Sequence, residues 1–333
     1  MEKRPLLKLG IDSYGVSIPK TWLEQLNLIE GQELYLKNHN DFISIHTQNI
    51  QTEEKNAIIS FDDISLKIFN KILISYYIRN YSTITIEGET IHERIDSIKA
   101  YISKLPSLEI IEIHPNQLVL NNSLSNHNDL NKLINLMKNS IFSMYELLIS
   151  NNESHSINKN HTKITLLDST LNQLYFSSIK LLHYKIEIEQ DFTTLKHISY
   201  HTRIVSLLEK IGDIIKRISK YINKNNSLNE NSILENQMSN NNSIQKELFE
   251  YLKEYHKSFD FFETNSFAKS TLNNLNTLQD KKNTILKMLE DYTYNPTQEA
   301  SEYQIQLVVS QLIKDLLGTY DEILIITIDF VIE

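Results

Sequence analysis

The sequence predicts a mainly α protein: two sets of about three helices each, preceded by a β-rich module and a small α/β segment. Three observations point there. The 333 residues include only six glycines and five prolines, too few for a turn-rich all-β fold. From Asn128 onward apolar residues recur at steps of three and four, the spacing of helices that bury one stripe. Short alternating runs, the mark of strands, are confined to the part of the chain before that.

Residues 4 to 47 read as strand (Pro5–Leu9), turn (Gly10–Ser13), strand (Tyr14–Ile18), short helix (Lys20–Leu26), turn (Glu30–Gln32), strand (Glu33–Lys37), turn (Asn38–Asp41) and strand (Phe42–His46). From residue 66 the pattern changes. "LKIFNKILISYYI" is helical in period, "STITIEG" is a strand and "TIHERIDSIKAYISKL" is a second helix. "LEIIEIH" and "QLVLN" form a hairpin across Pro115–Asn116. This is a small α/β layer.

The first long helix carries its apolar seam at Leu130, Ile134, Met137, Ile141, Met144 and Leu148. The same step runs through Ile204, Leu208, Ile211, Ile215, Ile218 and Ile222, and again through Ile305, Val309, Leu312, Leu316, Ile323 and Ile326. Between them "NKNNSLNENSILENQMSNNNS" is too polar to bury a core and reads as a linker. The predicted division is therefore 1–50, 51–122, 123–222, a linker at 223–243, and 244–333. The two helical sets read as a repeat. Laying Ile204, Leu208, Ile211 and Ile215 on Leu312, Leu316, Thr319 and Ile323 puts Asp213 on Asp321 and Glu209 on Leu317.

Composition excludes several classes. There is no cysteine, hence no disulfide framework, thiolate zinc site or cysteine nucleophile. A net charge of −9 argues against a surface coated for nucleic acid, so any DNA contact must be local and multiplied by oligomerisation. The start has no apolar stretch of secretory-signal length, and "ILIITIDFVI" is far short of a membrane span. The expectation is a soluble, cytoplasmic protein without membrane insertion. No phosphate loop of the Gly-Lys-Ser/Thr type and no Gly-x-Ser-x-Gly elbow exists, and the Glu-x-x-His of a di-iron bundle occurs only at Glu89–His92, in the α/β layer. A non-enzymatic chain is expected. The eleven histidines are scattered and read as surface residues, while Tyr175, Phe176 and Tyr184 read as core and Trp22 as the anchor of its short helix.

The stretch "RPLLKLG…SYGVSIPKTWLEQLNLIEGQELYLK" resembles the AbrB/SpoVT-like swapped-hairpin domain: a basic first strand, a glycine turn, an apolar strand ending in Ile-Pro-Lys, a short helix, and a turn into the last hairpin. Asn27 and Gln32 stand where that family usually has Gly and Asp. "LLEKIGDIIKRISKYI" and "LLDSTLNQLYFSSIK" resemble the signature helices of the PhoU family, with Asn172 and Leu317 in place of two of its acids. In this order the parts resemble the archaeal phosphate-uptake regulator type over nearly the whole chain. The fold implied is tandem PhoU-like three-helix bundles behind a swapped-hairpin domain.

The resemblance implies a homodimer that regulates phosphate homeostasis. A module of about 45 residues buries too little surface to stand alone, whereas two interleaved copies share one core. Such a dimer would present Arg4, Lys8 and Lys20 twice on one face, where the family binds DNA. Residues 1 to 50 hold five Lys/Arg against six Asp/Glu, and read alone they suit a pure dimerisation device equally. In that alternative the bundles dock on a phosphate transporter or sensor protein. The family also implies a divalent metal or iron on the bundle acids Asp168, Glu209, Asp213 and Asp321, carboxylates being ligands for hard or borderline cations. From the residues alone these acids also read as a solvated face. Gly212, inside a helix, implies close approach of a helix or ligand.

Overall fold

The computed structural model describes residues 2–38, 43–47, 54–123, 129–149, 157–188, 192–228, 247, 251, 269–293 and 300–332. The protein is mainly helical with a few small sheets, and it divides into two compact units, Met1–Glu53 and Glu54–Glu333. Among the described residues no helix is long and apolar enough to cross a membrane.

In the first unit β1 (Leu7–Lys8) pairs antiparallel with β2 (Tyr14–Gly15), and α1 (Lys20–Gln25) follows Pro19, whose fixed φ suits a helix start. β3 (Tyr35–Asn38) and β4 (Ile43–His46) form a second hairpin. The first two strands are shorter than the sequence predicts. Asn27 takes the left-handed conformation at φ 53°, which asparagine tolerates, and the Gln32 side chain accepts the Ile29 N–H at 3.2 Å. Both residues thus serve a turn. None of the unit's described residues is buried: Ile11 is 90% exposed, Ile29 76% and Trp22 46%.

The second unit opens with a four-stranded sheet of order β5-β6-β8-β7, formed by β5 (Asn56–Ser60), β6 (Thr83–Glu87), β7 (Leu108–His114) and β8 (Gln117–Asn122). β5 and β6 are parallel, joined through α2 (Leu66–Ile78), while β8 is antiparallel to both β6 and β7. The hairpin turns at Pro115–Asn116 as predicted, and a bulge near Ile111 interrupts β7. One sheet face is covered. Ala57, Ile59, Ile84, Ile86, Leu118 and Leu120 point into a core closed by Phe69, Leu73 and Tyr77 of α2 and Ile91, Ile98 and Ile102 of α3 (Ile91–Ile102). The loop before α3 is tied by Asp62, which accepts the N–H groups of Glu89 and Thr90 and the Thr90 hydroxyl at 2.8 to 3.0 Å. These bonds hold its carboxyl below the usual range, and Gly88 leaves it room.

Behind the layer, α4 (Leu130–Ile149), α5 (Ile157–Ile188) and α6 (Phe192–Leu228) pack pairwise. The predicted α4 seam is buried throughout. α6 runs on to Leu228, so the first residues of the predicted linker are helical; 229–243 lie outside the described residues. Of the second set, α7 (Lys269–Thr293) and α8 (Ala300–Ile332) are described, together with Glu247 and Tyr251, and the side chain of Ile305 lies outside. α8 packs on α6, and one continuous core joins all five helices. Tyr251 stacks edge-on against Tyr320 inside it.

Candidate functional site

Three of the four predicted acids meet where α5 lies on α6. The helices touch closely at Gly212, where an added Cβ would stand 2.1 Å from Leu171 Cδ2. Asp168, one turn before Leu171, is 3% exposed, and its carboxylate accepts Lys216 Nζ at 2.6 Å and Asn172 Nδ2 at 3.4 Å. Burial pushes half-buried Glu209 up to about 7, the charges of Asp213 and Asp168 act in the same direction, and Lys216 opposes them. Asp213 is raised by burial and by Asp168, against Lys216 and Arg217.

The cluster holds a proton near neutrality and supplies its own cation. Lys216 was not among the residues the sequence singled out. It follows Glu209 by seven and Asp213 by three, which places all three on one helix face, and that spacing was the available signal. One Asp168 oxygen is committed to the ammonium, Asn172 adds an amide instead of a second carboxylate, and no group of three or more His, Asp or Glu among the described residues is arranged to hold a metal ion.

Asp321 pairs with Lys282 of α7 instead. The repeat register is visible in burial: Ile204, Leu208, Ile211 and Ile215 are core, as are Leu312, Leu316, Thr319 and Ile323. Leu317, which falls on Glu209 in that register, is core too, so no acid occupies the corresponding place.

In the first unit Arg4 pairs with Glu2 at 2.7 Å and Lys20 lies 3.7 Å from Glu24 on the next turn of α1. Lys8 sits on β1 opposite Tyr14. All three are exposed.

Two further features were not anticipated. A cavity of about 510 Å³ between the end of α5 and the start of α6 is lined by Ile186, Leu195, Ile198, Thr202, Arg203 and Ser206, among others. Thr202 and Ser206 donate their hydroxyls to carbonyls of their own helix at 2.8 Å, so they offer the cavity lone pairs, and Arg203 offers charge. The second feature is a row of fasteners on α5. Gln173 donates to Ser103 O, Lys180 to Asn122 Oδ1 and Ser123 O at 2.6 and 2.7 Å, and Glu187 accepts from Lys55 at 2.5 Å. Lys180 is buried, lies 4.6 Å from the Tyr77 ring centre, and is pulled down to about 8 by burial. These three residues recur every seven positions, so one stripe of α5 is tied to the end of α3, the end of β8 and the residue before β5. Phe176, on the same stretch, packs into the layer core while its neighbour Tyr175 packs into the bundle core. No protein-family model, curated protein or solved structure matches the chain.

Proposed function

We propose that the chain is a dimeric, non-enzymatic regulator of phosphate homeostasis, in which a swapped-hairpin N-terminal module binds DNA and PhoU-like helical bundles sense an effector or dock on a partner. The observation that carries the dimer is the bare apolar surface of the first unit. Leu9, Ile11, Val16, Leu26, Ile29 and Leu36 are all exposed, and no described residue there is buried. A chain with two hairpins and no interior needs a second copy to supply one. The phosphate assignment rests on the motif resemblance of the helices containing Asp168 and Glu209.

The test uses the full chain on promoters of phosphate-uptake genes. Arg4→Ala, Lys8→Ala and Lys20→Ala combined should abolish the gel shift and remove a salt dependence of up to about 5 log units per log unit of salt for six phosphate contacts per dimer. The dimer should survive. Unchanged binding by the triple variant would overturn the assignment of these residues. A second reading, dimerisation without DNA binding, is favoured by the acids already facing Arg4 and Lys20. Absence of binding by the wild-type protein at low salt would establish it.

A further inference from the structure

We infer that β5 is a second self-association site, at which the sheets of two copies join edge to edge into one eight-stranded sheet. The inference rests on the dimer reading above and extends it to a surface outside the swapped-hairpin module.

The sheet ends in two unlike edges. β7 is guarded: it carries Glu109 and Glu112, the Glu112–His114 pair at 3.2 Å and the bulge near Ile111, all devices that discourage pairing. β5 has none of them. Its sequence, Asn-Ala-Ile-Ile-Ser, contains no charge, proline or bulge, and among the described residues no strand pairs with its outer side. An unguarded, uncharged edge is what strand addition requires.

The backbone defines the partner. Lys55 O and Phe61 N bond inward to β6, so along the strand the odd-numbered residues face β6, and Asn56, Ile58 and Ser60 turn their N–H and C=O groups outward. Those three residues are symmetric about Ile58. An antiparallel second copy set across a two-fold axis there brings Asn56 opposite Ser60 and Ile58 opposite itself, and every outward group finds a partner, in six hydrogen bonds. The side chain of Ile58, 65% exposed on the uncovered face of the sheet, meets its own copy. No other occupant is so fully specified by the strand itself.

Chain connectivity adds a reason. β5 begins three residues after Glu53, where the first unit ends. A dimer formed by that unit therefore tethers two β5 strands at high effective concentration, which makes a five-residue pairing sufficient.

The chain lacks cysteine, so Ile58→Cys in the full-length protein provides a single thiol at the axis, at an exposed position that tolerates the change. A short bis-thiosulfonate reagent should convert it to a covalent dimer at least about a hundred-fold faster than Ile111→Cys on the guarded edge, because the pairing sets the two thiols at position 58 side by side whereas those on β7 meet only by chance. In wild-type protein the amides of Asn56, Ile58 and Ser60 should be protected from hydrogen exchange as strongly as those of Ala57 and Ile59. If the protein sediments as a dimer but the two cysteine variants cross-link alike and those amides exchange freely, the β5 pairing is wrong and the dimer reading stands. Sedimentation as a monomer would overturn both.

Discussion

At the scale of single residues, the carboxylate cluster shows why side-chain chemistry was only partly legible. Asp168, Glu209 and Asp213 come together as expected, but Lys216, which pairs with Asp168, was not foreseen, because a lysine on a polar helix face looks like any solvated charge until the neighbouring helix is in place. The cluster makes stability pH-dependent. Glu209 titrates near 7 in the folded protein against 4.5 for a free glutamate, so the unfolded chain gives up the proton first. The contribution of this group is full below about pH 4.5 and is lost as pH rises through about 7. Chemical denaturation across that range should show the wild-type protein losing on the order of 1 kcal/mol relative to Glu209→Gln, after allowance for solvent screening of a half-exposed group. A pH-independent difference would mean that Glu209 titrates alike in the folded and the unfolded protein.

At the scale of elements, periodicity was the reliable guide. α2, β6, the β7–β8 hairpin and the seam of α4 lie where the apolar spacing puts them, since each buries one face on a continuous core. β5 was missed for a physical reason: Ile58 and Ile59 are adjacent, and with one isoleucine on the uncovered face the strand shows no alternation. Fasteners made by Gln173, Lys180 and Glu187 were missed because a polar stripe carries no hydrophobic signal. The two helical glycines give a test of packing against propensity. Gly212→Ala gains helix propensity but drives a methyl into Leu171, and overpacking should win, destabilising the protein by about 1–2 kcal/mol. Gly318 has nothing within 4 Å of an added Cβ, so Gly318→Ala should stabilise by up to about 1 kcal/mol. Urea midpoints shifting in opposite directions would bear this out, and a stabilising Gly212→Ala would show that α5 and α6 can part at no cost.

At the scale of the whole molecule, the second unit unites elements that the sequence separates. Composition marks a layer and two helical sets, yet α8 lies on α6 and α5 lies on the layer, so residues 54–333 form one compact unit. At the centre of the junction between layer and bundle is the buried Lys180, a polar contact that pattern reading cannot see. Lys180→Met keeps much of the side chain's bulk but leaves Asn122 Oδ1 and Ser123 O without this donor. It should cost about 2–3 kcal/mol, and calorimetry should show layer and bundle melting separately where the wild-type unit 54–333 is expected to melt in one transition. One transition at an unchanged temperature would show that apolar contacts such as Phe176 suffice.

The row on α5 has a mechanical meaning as well. A rod held at one point pivots, whereas one held at three points along its length transmits its direction. From Gln173 to Glu187 the fasteners span about 21 Å at 1.5 Å per residue, and Asp168 lies five residues ahead of the first. Held at three heights, α5 fixes one direction for the layer, so helix and layer turn as one body and not about a single hinge.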